Sequence, residues 1–136
     1  MSILLLIFMC YVAMASTIEA IMYSKLGAEA FKKTNEHVFI VLAAIFYVFS
    51  NCYASTYTSM SVVDSFTYAA ICALVYTFWH DGIYYEVARR INRPDYRFNS
   101  NSKTSTADIE VPWTFRVISF ATGGALYLIY NFLYQS

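Results

Sequence analysis

Between residues 38 and 57 there is no Asp, Glu, Lys or Arg, and between 113 and 134 the only one is Arg116. A helix with one wet face carries polar or charged side chains at helical spacing, and neither run does. Alternation of polar and apolar residues, the mark of a transmembrane β-strand, is also missing from Ile40–Phe49. Composition agrees with an apolar setting. Hydrophobic types make up 59% of the 136 residues and charged types 13%, against roughly 45–50% and about 25% in ordinary soluble domains.

A helix needs about 20 apolar residues to cross the roughly 30 Å hydrocarbon layer. Four runs approach that length: about 3–23, 38–57, 62–84 and 113–134. The expectation is therefore an all-α integral membrane protein. It has one membrane domain over 1–136, four transmembrane helices, and an ordered polar segment at 86–112 between the third and fourth. Two rivals stand beside it. One has three spans, with the first run lying along a partner. The other is a soluble helical bundle with uniform core helices. No Lys or Arg precedes the first apolar run, so it lacks the basic start of a signal peptide and reads as a retained span.

Lys and Arg in short loops set orientation. Lys25, Lys32 and Lys33 follow the first run, none follows the second, and Arg89, Arg90, Arg93, Arg97 and Lys103 follow the third. The implied topology is multi-pass, with both termini outside and both basic loops on the cytoplasmic or matrix side. The helix ends carry ordinary signals. Ser61 with Asp64 forms a capping-box pattern, Thr34 or Asn35 suits a cap of the second run, and Pro112 suits a first helical turn. Tyr23, Tyr57, Tyr84, Tyr85, Trp113, Tyr130 and Tyr134 near the ends fit an interfacial aromatic belt. Small residues at spacing four mark close-packing faces: Ser16, Ala20 and Ser24; Ala69 and Ala73; Ser119 and Gly123; Ala121 and Ala125.

The polar information is concentrated between Trp79 and Arg93. On a helix, Glu86 reaches Arg89 or Arg90, and Gly82 marks a bend or a close contact with another helix. Three readings compete for His80 and Asp81: a satisfied structural pair, a catalytic acid–base or proton-relay pair, and a metal or haem site. For haem, His37 would have to face His80. Only these two histidines occur, with no His-Glu-x-x-His and no paired Cys motif, so no metal and no cofactor is predicted. Cys10, Cys52 and Cys72 are too few and too scattered for a disulfide framework, although a Cys10–Cys52 bridge stays open.

Glu19 and Arg116 sit at matching depth, and a lone buried charge is costly. The expected polar network is Glu19 with Arg116, approaching within about 4 Å, plus Asp81 and Glu86 accepting from arginines or backbone of the 94–112 segment. Tyr96 and Phe98 are the candidate anchors of that Ser- and Asn-rich stretch. Arg89, Arg90, Arg93 and Arg97 are candidates for lipid or phosphate contact. The favoured function is a small structural or accessory subunit of a membrane complex, with other membrane subunits or copies of itself, and anionic lipids, as partners. Zero net charge, with the basic face set against the membrane, argues against nucleic acid as a partner. Two alternatives remain: a small membrane enzyme acting on lipid headgroups through His80 and Asp81, and an oligomeric pore of the holin kind.

Overall fold

The computed structural model describes residues 2–27, 61–103 and 110–134. Among these the chain forms α1 (Ser2–Leu26), α2 (Val62–Ile91) and α3 (Trp113–Tyr134). Between α2 and α3, β1 (Ser102–Lys103) pairs antiparallel with β2 (Glu110–Val111), Ser102 opposite Val111 and Lys103 opposite Glu110. The capping box is formed: Asp64 N–H donates to Ser61 Oγ at 3.1 Å, and Ser61 N–H donates to the Asp64 carboxylate at 2.8 Å. Two orphan donors of the helix start are thereby satisfied. The Tyr130 hydroxyl donates to the same carboxylate, tying the start of α2 to the end of α3. These donors hold Asp64 below the usual carboxylate range, hydrogen bonding from Tyr130 first.

α2 is the central element and packs on both other helices. Leu4 meets Tyr68 and Tyr23 meets Tyr84, so α1 runs in the direction of α2. Tyr130 meets the start of α2 and Trp113 meets Phe78, so α3 runs against it. Phe8, Val12, Ser16 and Ala20 are buried at a constant spacing of four on α1, and Phe8 and Val12 cluster with Tyr68, Ile71, Cys72 and Val75 of α2. Ser16, fully buried, satisfies its hydroxyl by donating to Val12 O at 2.6 Å. On the other side, a Cβ at Gly123 would stand 3.0 Å from Leu74 Cβ and Val75 Cγ1, so glycine sets how closely α3 lies on α2. The small residues Ser16, Ala20 and Gly123 thus serve internal packing.

The four-span expectation is corrected. The described residues hold three helices. One of them, over Ile3–Leu26, is long and apolar enough to cross a membrane by length and composition. The 38–57 run, His37, Cys52, Tyr57 and the Thr34 and Asn35 caps lie outside the described residues. The 62–84 run is part of a 30-residue helix whose second half carries His80, Asp81, Glu86, Arg89 and Arg90. The 113–134 run is a helix as expected, but Trp, Tyr, Ser, Thr and Gly dilute its apolar content and Arg116 is fully buried within it. With the crossings goes the multi-pass topology, and with it the assignment of sides to the termini and the basic loops. The reading as a multi-pass membrane subunit falls for the same reason. Among the described residues, part of the apolar surface goes to helix-to-helix packing, aromatic clusters and the surroundings of a buried ionic chain, while large apolar side chains such as Ile3, Leu6, Ile118 and Leu128 stay exposed. The tyrosines cluster as well: Tyr23, Tyr84, Tyr85 and Tyr96 contact one another edge to face in series.

Gly82 explains how the segment after α2 is fixed. A Cβ there would lie 2.3 Å from Phe98 Cζ, so the Phe98 ring fills the place of a side chain. That ring also packs edge to face on Phe78 and Trp113, at centroid distances of 5.3 and 5.8 Å. Phe98 is an anchor, as the sequence suggested. Gly82→Ala gains about 1 kcal/mol of helix propensity and loses about 1–3 kcal/mol to overpacking. The expected result is a net loss and a thermal midpoint lowered by about 2–6 °C. A higher midpoint in thermal unfolding by circular dichroism would mean the ring leaves without cost.

Candidate functional site

Four ionisable residues of the three helices meet in one linear chain. α1 supplies Glu19, α2 supplies His80 and Asp81, and α3 supplies Arg116. His80 Nε2 lies 3.0 Å from Glu19 Oε2, and His80 Nδ1 lies 2.9 Å from Asp81 Oδ1. Asp81 Oδ2 lies 3.7 Å from Arg116 Nε. With His80 protonated, the signs alternate along the chain and sum to zero, which is how charges are kept in a low-dielectric interior. Burial by itself lowers the pKa of His80. The hydrogen bonds to Asp81 and Glu19, and the charges of both, outweigh burial and push it up to about 9. The Tyr76 ring stacks on the imidazole at 4.9 Å. That stacking limits its rotation and covers one ring face.

Arg116 is the most buried of the four, with no exposed surface. Its guanidinium donates to Ser100 O at 2.8 Å, Phe78 O at 3.3 Å and Phe98 O at 3.5 Å. It lies over the rings of Trp113 at 5.2 Å and Tyr85 at 5.9 Å. Burial lowers its pKa and Asp81 opposes that. An arginine stays charged across the whole accessible pH range all the same, so the site always holds this cation. Ser100 and Phe98 are in the segment after α2, so Arg116 closes that segment onto the bundle. The Tyr85 hydroxyl adds a bond to Asn101 O at 3.2 Å. The Asn101 side chain donates to Glu110 at 2.8 Å and accepts from Trp113 N–H at 3.0 Å.

The structure brings Glu19, Asp81 and Arg116 into one chain, with partners that differ from those expected. Glu19 takes His80 as its partner instead of Arg116, because the parallel α1 brings Glu19 to the His80 turn of α2. Arg116 reaches Asp81 from the opposite flank. Glu86 accepts from Arg89 and Arg90 on its own helix, which holds its carboxyl down at about 2. It makes no bond to the 94–112 segment among the described residues. The donors to that segment are Arg116 and the Tyr85 hydroxyl, through backbone carbonyls, a role that pairing rules alone do not reveal. Trp79 was also missed: its Nε1–H donates to Met9 O at 3.0 Å, as the Tyr68 hydroxyl does to Leu4 O at 3.0 Å. Both tie α2 to the backbone of α1.

No three His, Cys, Asp or Glu side chains gather as a metal set among the described residues. Both ring nitrogens of His80 are engaged by carboxylates, and its proposed haem partner His37 lies outside the described residues. Cys72 is buried, which pushes its thiol up to about 11, and Cys10 is exposed; both are free thiols.

A raised histidine pKa has a definite sign. The stabilisation is fully present below the unfolded value of about 6.5 and is lost as pH rises through about 9. Chemical denaturation at pH 6, 8 and 10 is expected to show stability falling by about 3 kcal/mol in all, somewhat more than half of it between pH 6 and 8. His80→Gln should flatten that step. A variant whose pH profile matches the wild type would remove His80 as its source.

No protein-family model matches the chain, and neither the curated proteins nor the solved structures contain a similar one; the functional reading therefore rests on the chemistry of these residues and of the surface around them.

Proposed function

We propose that this chain is a non-enzymatic helical module that assembles with a second copy of itself through the outer face of α3. The carrying observation is one stripe within a wider exposed apolar face that also holds Val117, Leu128 and Leu133. Phe115, Ile118, Thr122, Ala125, Ile129 and Phe132 are all exposed, at spacings of 3, 4, 3, 4 and 3. That is the seam periodicity of paired helices. Phe115 and Ile129 are each 56% exposed, Ile118 65% and Phe132 77%. Isolated exposed apolar residues need no explanation, but a contiguous apolar face on one helix marks an interface.

The composition of the stripe selects the occupant. It carries no charge, and the single charge on α3, Arg116, is buried on the opposite flank. Two such stripes meet without desolvating an ion. Bulky residues stand at both ends, with Thr122 and Ala125 in the middle. An antiparallel pair therefore sets Phe115 against Phe132, Ile118 against Ile129, and small against small. A two-fold interface of this kind is self-complementary. A surface built only to meet acyl chains has no need of a 3–4 seam or of a small-residue centre.

The non-enzymatic part of the reading is supported by His80 and Asp81. Their polar atoms are used by Glu19, by each other and by Arg116. A general base works best with a pKa near the operating pH, and the His80 proton is held well above neutrality.

The test is mass by sedimentation over a concentration series. The wild type is expected to be dimeric or larger at micromolar concentration. Ile118→Glu should weaken association by at least about tenfold, the equivalent of about 1.4 kcal/mol, with helical content unchanged. A wild type that is monomeric throughout, or an Ile118→Glu variant that associates as the wild type does, would refute the reading. Uptake into uncharged lipid vesicles in place of dimerisation would count equally against it.

A further inference from the structure

The five arginines differ in what holds them. Arg89 and Arg90 are taken by Glu86. Arg97 donates to Pro94 O and Tyr96 O. Arg116 is locked in the charged chain. Arg93 has neither an ion pair nor a side-chain hydrogen bond among the described residues. Its guanidinium lies 5.9 Å from the Tyr96 ring centroid.

Arg93 is also on the rim of a cavity of about 100 Å³, where the last turns of α1 and α2 diverge. The space exists because the facing residues, Ala20 of α1 and Ala88 of α2, are small and buried. Just above it, the Glu19–His80 bond holds the two helices together. Tyr84 and Tyr96 wall the cavity, and Ser24 and Asn92 line it. Neither Ser24 nor Asn92 makes a side-chain hydrogen bond with another described residue. The groups converging here are hydroxyl, amide and guanidinium donors, with no carboxylate among the lining residues.

We propose that this cleft binds a phosphate-type oxyanion, with Arg93 as its charged ligand and Ser24 and Asn92 as hydrogen-bond donors. A guanidinium fork matches two oxygens of a phosphate. The cavity is well above the ~30 Å³ that a water molecule occupies in the liquid and suits one compact tetrahedral group. The ends of α1 and α2 direct carbonyls toward this region, and helix C-termini disfavour anions. The anion therefore sits at the Arg93 rim, away from the floor. The turn that follows is set for this. Asn92 N–H and Arg93 N–H both donate to Ala88 O, and Tyr96 N–H donates to Arg93 O at 2.9 Å. Arg93 is thus fixed by its backbone while its side chain is left unpaired. The same chemistry serves a free phosphate and the phosphate of a lipid headgroup. The cleft lies away from the α3 stripe, so it stands or falls independently of self-association.

The experiment uses the full chain and two probes. Inorganic phosphate is titrated by calorimetry. Sedimentation with phosphatidylcholine vesicles, with and without phosphatidic acid, gives the second arm. Binding of either probe is expected, weakened at least tenfold by Arg93→Gln and within about twofold of wild type for Arg97→Gln. Both residues are exposed, and equal helical content by circular dichroism confirms that each variant folds. Phosphate binding with no preference for phosphatidic acid vesicles assigns a soluble ligand, and the opposite pattern assigns a headgroup. The proposal is overturned if neither probe binds. It is equally overturned if Arg93→Gln and Arg97→Gln lose the same amount, because that is unspecific charge attraction.

Discussion

The burial of Arg116 constrains everything around it. A guanidinium with no exposed surface keeps its charge, so the fold must bring it an anion and enough acceptors to replace water. Asp81 supplies the charge, at the loose distance of 3.7 Å, and three backbone carbonyls supply the acceptors. Asp81 is then shared with His80, and His80 with Glu19. Each helix contributes to this chain, so none can leave without stranding a buried charge. Loss of one partner from such a set is far more costly than loss of the set, because the survivor is left unpaired in a low dielectric.

The same guanidinium explains how residues 98–101 are held after α2. Ser- and Asn-rich stretches hold few apolar contacts and pay a high entropy to order. Here the cost is met locally. Arg116 takes two carbonyls of the segment, Tyr85 takes a third at Asn101, and Phe98 occupies the space left by Gly82. Arg116 also lies over Trp113 and Tyr85, so the aromatic cluster that receives Phe98 is also the cluster that shields the cation. Polar closure and apolar closure coincide at one end of α2.

Much of the helix placement was legible. The runs at 3–23, 62–84 and 113–134 lie inside or match α1, α2 and α3, since apolar runs of that length form helices in any apolar surrounding. The Ser61–Asp64 cap and the Glu86 pairs follow from spacing of three or four. Phe98 stands out as an aromatic in a Ser- and Asn-rich stretch, but that Gly82 receives its ring, in place of another helix, left no mark in the sequence. What an apolar run cannot report is what covers it. Lipid and neighbouring helices select the same side chains, so the count of spans did not follow. Wiring was hidden for a related reason. Depth along separate helices put Glu19 level with Arg116, but partner choice depends on which helix lies between them, and α2 intervenes with His80. Arg116 as donor to backbone carbonyls left no pattern in the sequence, because a carbonyl is present at every residue.

The position of His80 in the chain also limits its chemistry. An imidazole that donates from both nitrogens has no lone pair to offer, and one held between two carboxylates releases its proton only near pH 9. To act as a base at neutral pH it would have to give up the charge that balances Glu19 and Asp81, and Tyr76 stacked on its ring restrains the rotation that would free a nitrogen. The arrangement is built to keep the proton. That makes His80 a cationic link between α1 and α2, and among the described residues the groups facing outward that the clamp does not use include the charge-free stripe of α3 and the Arg93 guanidinium.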